Sequence, residues 1–186
     1  MNAMKIMPEN ILDCDIIVLT ETFLTEEISL PGYYALHTLA TQGDRGRPKG
    51  GITCLIKPEL VPCSIVYKSD NALTVKTKYI FITCVYFQPY CTEQFIIETI
   101  NDAMEMIPND EPAILIGDLN CRTDKKTEKS TLVLEHIKSE GLHLVNNPTD
   151  PTYIAPNGTS VIDLMFTNSQ VKEISKKSKG TPPPHQ

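Results

Sequence analysis

Short runs of β-branched and apolar residues recur along the chain, each bounded by polar or glycine-containing segments. They span Asp15–Thr20, Gly51–Ile56, Pro62–Tyr67, Ala72–Lys76, Tyr79–Tyr86, Ala113–Gly117 and Val161–Phe166. Their length and composition predict a strand at each, with a hairpin between Val75 and Ile82 turning at Thr77-Lys78. Two stretches carry a helical period instead. From Thr92, an N-cap residue, the apolar positions Ile96, Ile100, Ala103, Met104 and Ile107 recur at helical spacing until Pro108. From Ser130, Val133, Leu134 and Ile137 lead to Gly141 as a C′ glycine. Strands come in blocks with two helices inserted and no strict βαβ alternation, which predicts an α+β fold: a β-sandwich flanked by helices.

Two segments break the pattern. Residues 41–51 form a polar, glycine-rich loop, and residues 172–186 are basic and then proline-rich. The expected organisation is one domain over residues 1–171 and a flexible tail over 172–186.

Composition narrows the function classes. With 186 residues, 41% hydrophobic and 22% charged, the chain suits one globular core without staples. No apolar run approaches the roughly 20 residues of a membrane span. Met1–Lys5 opens no apolar signal stretch. The expectation is therefore no membrane partner and an intracellular location, nucleus or cytoplasm. Seventeen basic against 23 acidic residues give net −6, which argues against a bulk electrostatic binder of nucleic acid. It leaves room for an enzyme that reaches phosphate through a metal. The six cysteines make no C-x-x-C pair, and Cys14, Cys54 and Cys84 sit in apolar runs, so they read as small buried hydrophobes in a reducing compartment.

Three carboxylates sit at strand ends or inside strands: Glu21 after Ile16–Thr20, Asp118 after Ile114–Gly117, and Asp163 within Val161–Phe166. Carboxylates there are costly unless paired, hydrogen-bonded or bound to a cation. In Asp118-Leu119-Asn120, strand alternation would aim residues 118 and 120 at one spot and turn Leu119 inward. The carboxylate could take a proton from water, and the amide could orient that water or a phosphate oxygen; an Asx turn after the strand is the other reading. Tyr86 closes a strand with its hydroxyl available to a phosphate or to simple packing. Thr152 and Ser160 bring hydroxyls near Asp163, on a segment that also reads as a hairpin with Asn157-Gly158 at its tip. Arg45, Arg47 and Lys49 share the glycine-rich loop and could reach a nucleic-acid backbone, or be merely solvated. No Gly-Lys-Ser/Thr is present, so this is no Walker loop. His37, His136 and His143 have no partner in sequence and read as structural.

Taken in order, Leu19-Thr-Glu21-Thr, Gly50-Gly51-Ile52, Val85-Tyr86 with Pro89, Ile116-Gly-Asp-Leu-Asn120 and Ser160-Val-Ile-Asp163 resemble the endonuclease/exonuclease/phosphatase superfamily. The segment from Pro151-Thr152 to Asp163 is most similar to endonucleases of non-LTR, LINE-type retrotransposons. The resemblance covers roughly residues 10 to 168. It implies a four-layered α/β sandwich of two mostly antiparallel sheets with helices outside, and hydrolysis of a DNA phosphodiester with magnesium or manganese. Glu21 matches the metal-ligand glutamate, Asp118 the aspartate that activates water, and Asn120 its orienting partner. Tyr86 and Asp163 match further active-site positions, Asp163 supporting the metal, the leaving group or a catalytic histidine. A reverse transcriptase domain is the implied companion.

The ends depart from the family. Its opening strand carries an active-site asparagine, followed by a helix, but only 20 residues precede Glu21 here. Asn2 and Asn10 are poorly spaced for that role, so the first strand is expected to be missing, with Met4–Asp13 as the remnant of the helix. The family closes on Ser-Asp-His, whereas this chain closes on Pro183-Pro184-His185-Gln186. His185 matches the histidine without its aspartate. Three functions stay open: a DNA-nicking endonuclease, an inactive or domesticated remnant that binds, and an abasic-site repair nuclease or other phosphoesterase.

Overall fold

The computed structural model describes residues 14–43, 46–147, 150–155 and 158–171. Expectations on residues 1–13, on Arg45 and Asn157, and on the tail with His185 lie outside them.

Three strands make the smaller sheet: β1 (Ile16–Thr20), β2 (Tyr34–Thr38) and β3 (Ile52–Ile56), ordered β1-β3-β2 and antiparallel throughout. The larger sheet has six: β4 (Ser64–Lys68), β5 (Ala72–Lys76), β6 (Phe81–Tyr86), β7 (Ala113–Asp118), β8 (His143–Leu144) and β11 (Asp163–Thr167). Their order is β4-β5-β6-β7-β11-β8. A separate hairpin joins β9 (Tyr153–Ala155) to β10 (Gly158–Ser160). All pairs are antiparallel except β6–β7, which run parallel because the helix α1 (Glu93–Glu105) crosses between them. The second helix, α2 (Glu128–Ser139), lies against α1. The mixed sandwich with two packed sheets and helices outside is the fold class expected.

Strand alternation sorts the apolar residues into two cores. Val85 and Leu115 face the helices and bury against Ile96, Ile100, Val133 and Ile137. Leu73, Cys84 and Tyr86 face the other way and meet Ile52, Cys54 and Ile56 of β3 between the sheets, with Ile116 packed against them. Asp118 has the parity of Ile116, so the strand aims it towards the seam between the sheets.

Several boundaries differ from expectation. The turn between β5 and β6 occupies Thr77–Ile80 rather than Thr77-Lys78 alone. The Thr77 hydroxyl organises it, donating to the Ile80 carbonyl and accepting from the Tyr79 and Ile80 amides. α2 starts earlier than Ser130, capped by Thr127, whose Oγ1 accepts the Ser130 N–H at 3.1 Å. Thr92 caps α1 as expected, accepting from Phe95 N. Cys54 and Cys84 are buried, but Cys14 is exposed because it precedes β1 instead of joining it.

Candidate active site

Four strand ends meet at one rim of the seam. Parallel pairing sets Tyr86 at the end of β6 beside Asp118 at the end of β7. Antiparallel pairing sets Asp163 at the start of β11 beside the same Asp118. Glu21 follows β1 in the facing sheet, and its Oε1 accepts the Tyr86 hydroxyl at 2.5 Å across the seam. Register thus gathers Tyr86, Asp118 and Asp163, and the packing of the two sheets brings Glu21 to them.

The backbone at the rim is unusual. Glu21, Phe23 and Asn120 all have left-handed backbone, with φ of 52°, 54° and 47°. Such conformations are unfavourable for residues with a Cβ and persist where surrounding structure enforces them. For Glu21 the enforcement is visible: Thr22 N and Phe23 N donate to the Gly51 and Gly50 carbonyls. A Cβ on Gly51, at φ 92°, would lie 2.4 Å from Thr22 Oγ1. The glycine pair therefore lets the chain after Glu21 dock on the start of β3. Gly117 answers to a tighter constraint, since a Cβ there would lie 1.9 Å from the Val85 carbonyl oxygen.

Asn120 does not continue the strand. β7 ends at Asp118, and the Asn120 N–H returns to Asp118 Oδ1 at 2.8 Å, an Asx turn. Leu119 turns inward and is fully buried. The Asn120 side chain donates to the Phe87 carbonyl at 2.7 Å and so ties the β7 turn to the end of β6. The Asx-turn reading therefore holds, and the orientation of Asn120 comes from the turn instead of strand alternation.

Burial raises the Asp118 carboxyl to about 7. The Asp163 and Glu21 charges push the same way, while the Asn120 N–H bond and the Lys129 ammonium oppose it. Tyr86 is pushed well above the ordinary phenol range by burial and then by the Glu21 carboxylate it donates to, so its hydroxyl remains a donor. Asp118 is thus an undercompensated carboxyl with two further carboxylates near it, and the atoms these three side chains could offer a cation are all oxygens. Among the described residues no group of three His, Cys, Asp or Glu side chains is placed to hold a metal ion by itself. Such oxygens suit a hard divalent cation that keeps several waters and takes one or two carboxylates together with substrate phosphate.

The other expected residues spread around this rim. Thr152 Oγ1 accepts from both Ile162 N and Asp163 N, fixing the start of β11. Ser160 is buried, and its carbonyl accepts the Thr152 N–H, so it supports the hairpin instead of facing outward. The Arg47 guanidinium stacks on Phe23 at 3.8 Å, which carries the glycine-rich loop next to the Glu21 segment. Lys49 is exposed, and its backbone bridges Thr41. His37 is buried between Thr53 and the Ile28 carbonyl, and His136 meets Asn101; both are structural contacts.

Several contributors escape sequence reasoning. Asn71 donates to the Tyr86 carbonyl at 2.8 Å and to Gln88. Asn146 both donates to the Asp163 carbonyl and accepts from Met165 N. Lys129 donates to the Pro89 carbonyl at 3.2 Å. Arg122 grips Asp124 through two nitrogens and donates to the Thr159 carbonyl, tying the hairpin to the loop after Asn120. The lone hint in sequence was their type, Asn in turns and basic residues beside a Gly-Asp-x-Asn run. A larger cavity of about 610 Å³ lies away from this chemistry, lined by Ala113, Leu142 and Asn168.

The TRAS1 endonuclease domain, from a telomere-specific non-LTR retrotransposon, superposes with a TM-score of 0.68 at 18% identity, covering 86% of this chain and 75% of that one. An endonuclease/exonuclease/phosphatase family protein from Leptotrichia buccalis C-1013-b superposes at 0.60 and 14% identity, covering 84% and 76%. At such identities the likeness is one of fold. No curated protein matches the chain. Residues 80–185 match the family described as Endonuclease-reverse transcriptase. That match takes in β6, β7, β11 and most of the rim they form, and by it the chain belongs to the Endonuclease-reverse transcriptase family of the endonuclease/exonuclease/phosphatase superfamily.

Proposed function

We propose that this chain is the DNA-nicking endonuclease unit of a retrotransposon-type protein and hydrolyses a phosphodiester with magnesium. The convergence of Glu21, Tyr86, Asp118, Asn120 and Asp163 on one rim carries this reading. Glu21 would hold the cation, aimed by the Tyr86 hydroxyl. The bound ion would supply Lewis-acid charge at the phosphoryl oxygens and the leaving group.

The chain's own groups do the rest. Asp118 Oδ1 is occupied by the Asn120 N–H, so Oδ2 accepts the proton from the attacking water. The Asn120 amide nitrogen is committed to Phe87, so its carbonyl oxygen is the end that orients that water. Asp163 sits opposite Asp118 and adds negative charge to the rim, which would favour a cation there. Arg47, Lys49 and Thr152 contact the DNA backbone. A nuclear or cytoplasmic site of action and a reverse transcriptase in the same polypeptide belong to this reading. No helix among the described residues is long and apolar enough to cross a membrane.

The test is nicking of supercoiled plasmid by the purified chain in magnesium and in EDTA. Asp118→Ala should lose about 10²–10⁴-fold, as expected for removal of a general base, and Glu21→Ala should fail at any practical magnesium concentration. A folded wild-type chain that leaves the plasmid intact would overturn the proposal and favour a remnant that only binds.

A further inference from the structure

Beside the rim, on the Tyr86 side, lies a cleft of about 480 Å³. Its walls come from the glycine-rich loop (Lys49), the β4–β5 turn (Asp70, Asn71), the turn that leads from β6 into α1 (Gln88, Tyr90) and the first turn of α1 (Phe95). None of the catalytic assignments uses it. Two aromatic rings stand on one side of it, Tyr90 at 74% exposure and Phe95 at 42%. An exposed tyrosine held on a tight turn, with Cys91 N bonded to the Gln88 carbonyl, is a stacking platform whose backbone is already ordered.

The polar side of the cleft has a defined sense. Asn71 is 8% exposed, and its Nδ2 is consumed by the Tyr86 carbonyl and by Gln88 Oε1. Its Oδ1 meets no donor among the described residues, leaving an acceptor on the cleft wall. Asp70 next to it is a second acceptor, exposed and carrying charge. Two acceptors and an aromatic platform lining one cleft suit a flat ligand with a donor edge. They oppose a phosphate, which would instead be drawn to Lys49 at the far lip.

The geometry points to a nucleobase subsite: this cleft takes one unstacked base with a donor edge, amino or ring N–H, from the nucleotide next to the cut. This deepens the endonuclease reading and rests on it for the position of the cut. Asn71 links the two places physically, because the same side chain fastens the end of β6 that carries Tyr86. The base would stack on Tyr90 with its donor edge towards Asp70 and Asn71, and its phosphate would run past Lys49. Specificity beside the cut would then come from this wall of the site, with guanine, adenine and cytosine favoured over thymine, whose one exposed donor is a ring N–H flanked by carbonyls.

The experiment compares wild type with Tyr90→Ala, Tyr90→Phe and Asp70→Asn, all at exposed positions that leave the core intact. Nicking of short duplexes is read as KM and kcat, and cut sites are mapped on plasmid. Tyr90→Ala should raise KM roughly tenfold with kcat little changed, as loss of one stacked base requires, and Tyr90→Phe should behave as wild type. Asp70→Asn should redistribute the cut sites among bases. Unchanged KM and an unchanged cut map would overturn the subsite while leaving the nuclease standing. If the wild type does not nick at all, the function fails separately. The subsite is then read from binding of 2-aminopurine oligonucleotides in calcium, where equal affinity of wild type and Tyr90→Ala overturns it and a weaker Tyr90→Ala supports it.

Discussion

At Asp118 a partly buried carboxyl and the stability of the fold oppose one another. Its carboxyl titrates near 7 in the folded chain against 3.8 when free. Between those values the folded chain keeps a proton that the unfolded chain has released, so stability falls as pH rises through that window and the loss is complete above it. Asp118→Asn keeps an oxygen for the Asn120 N–H. In EDTA it should therefore melt higher than wild type above pH 7 and equally below pH 4, as checked by thermal unfolding across pH. A second prediction concerns Gly117. Alanine there would set a Cβ 1.9 Å from the Val85 carbonyl on backbone at φ 148°, so β7 must slide off β6. Urea unfolding of Gly117→Ala should show a loss of roughly 3 kcal/mol, from overpacking and an incompatible φ together. The sequence marked Asp118, Glu21 and Tyr86 because polar residues at the ends of apolar runs stand out. It could not mark Gly117 as indispensable, since the reason is a neighbouring strand's carbonyl, nor the left-handed backbone of Glu21.

Elements were legible where burial was one-sided or complete. β3, β5 and β6 are almost wholly buried and read as continuous apolar runs; α1 reads from the positions that pack on the sheet. β2 escaped because Tyr34 is half exposed and His37 and Thr38, though buried, are polar. β8 is two residues long and exists through its pairing with β11. α2 begins before Ser130 because Thr127 caps it, and the Thr127 and Ser130 hydroxyls bond each other at 2.8 Å. The β9–β10 hairpin was readable from its turn residues, but its anchorage was not. Arg122 holds it through the Thr159 carbonyl, and Asp124 does so through Val161 N. That anchorage predicts a local effect. Arg122→Ala should speed amide exchange across residues 153–160 while leaving exchange in β6 and β7 unchanged, as measured by mass spectrometry. Slowed or unchanged hairpin exchange would place its anchor elsewhere.

For the molecule as a whole, net charge and local charge disagree. The chain carries −6, yet Arg47, Lys49 and Lys129 lie around the rim. Three cations on phosphates would give log Kobs a slope of about −3 against log salt, shallow beside dedicated DNA binders. Fluorescence anisotropy with a labelled duplex in calcium, titrated with potassium chloride, measures that slope; a value several times steeper would mean a larger basic footprint. The order of strands has a further consequence in time. β11 is inserted between β7 and β8, so one side of β7 stays unpaired and β8 has no neighbour until the last described strand exists. Glu21 leaves the ribosome first and Asp163 last, separated by on the order of ten seconds of synthesis. The nascent chain therefore carries a half-open sheet and an incomplete rim until β11 is made, and Asp163 joins Glu21, Tyr86 and Asp118 only as that strand is threaded in between β7 and β8.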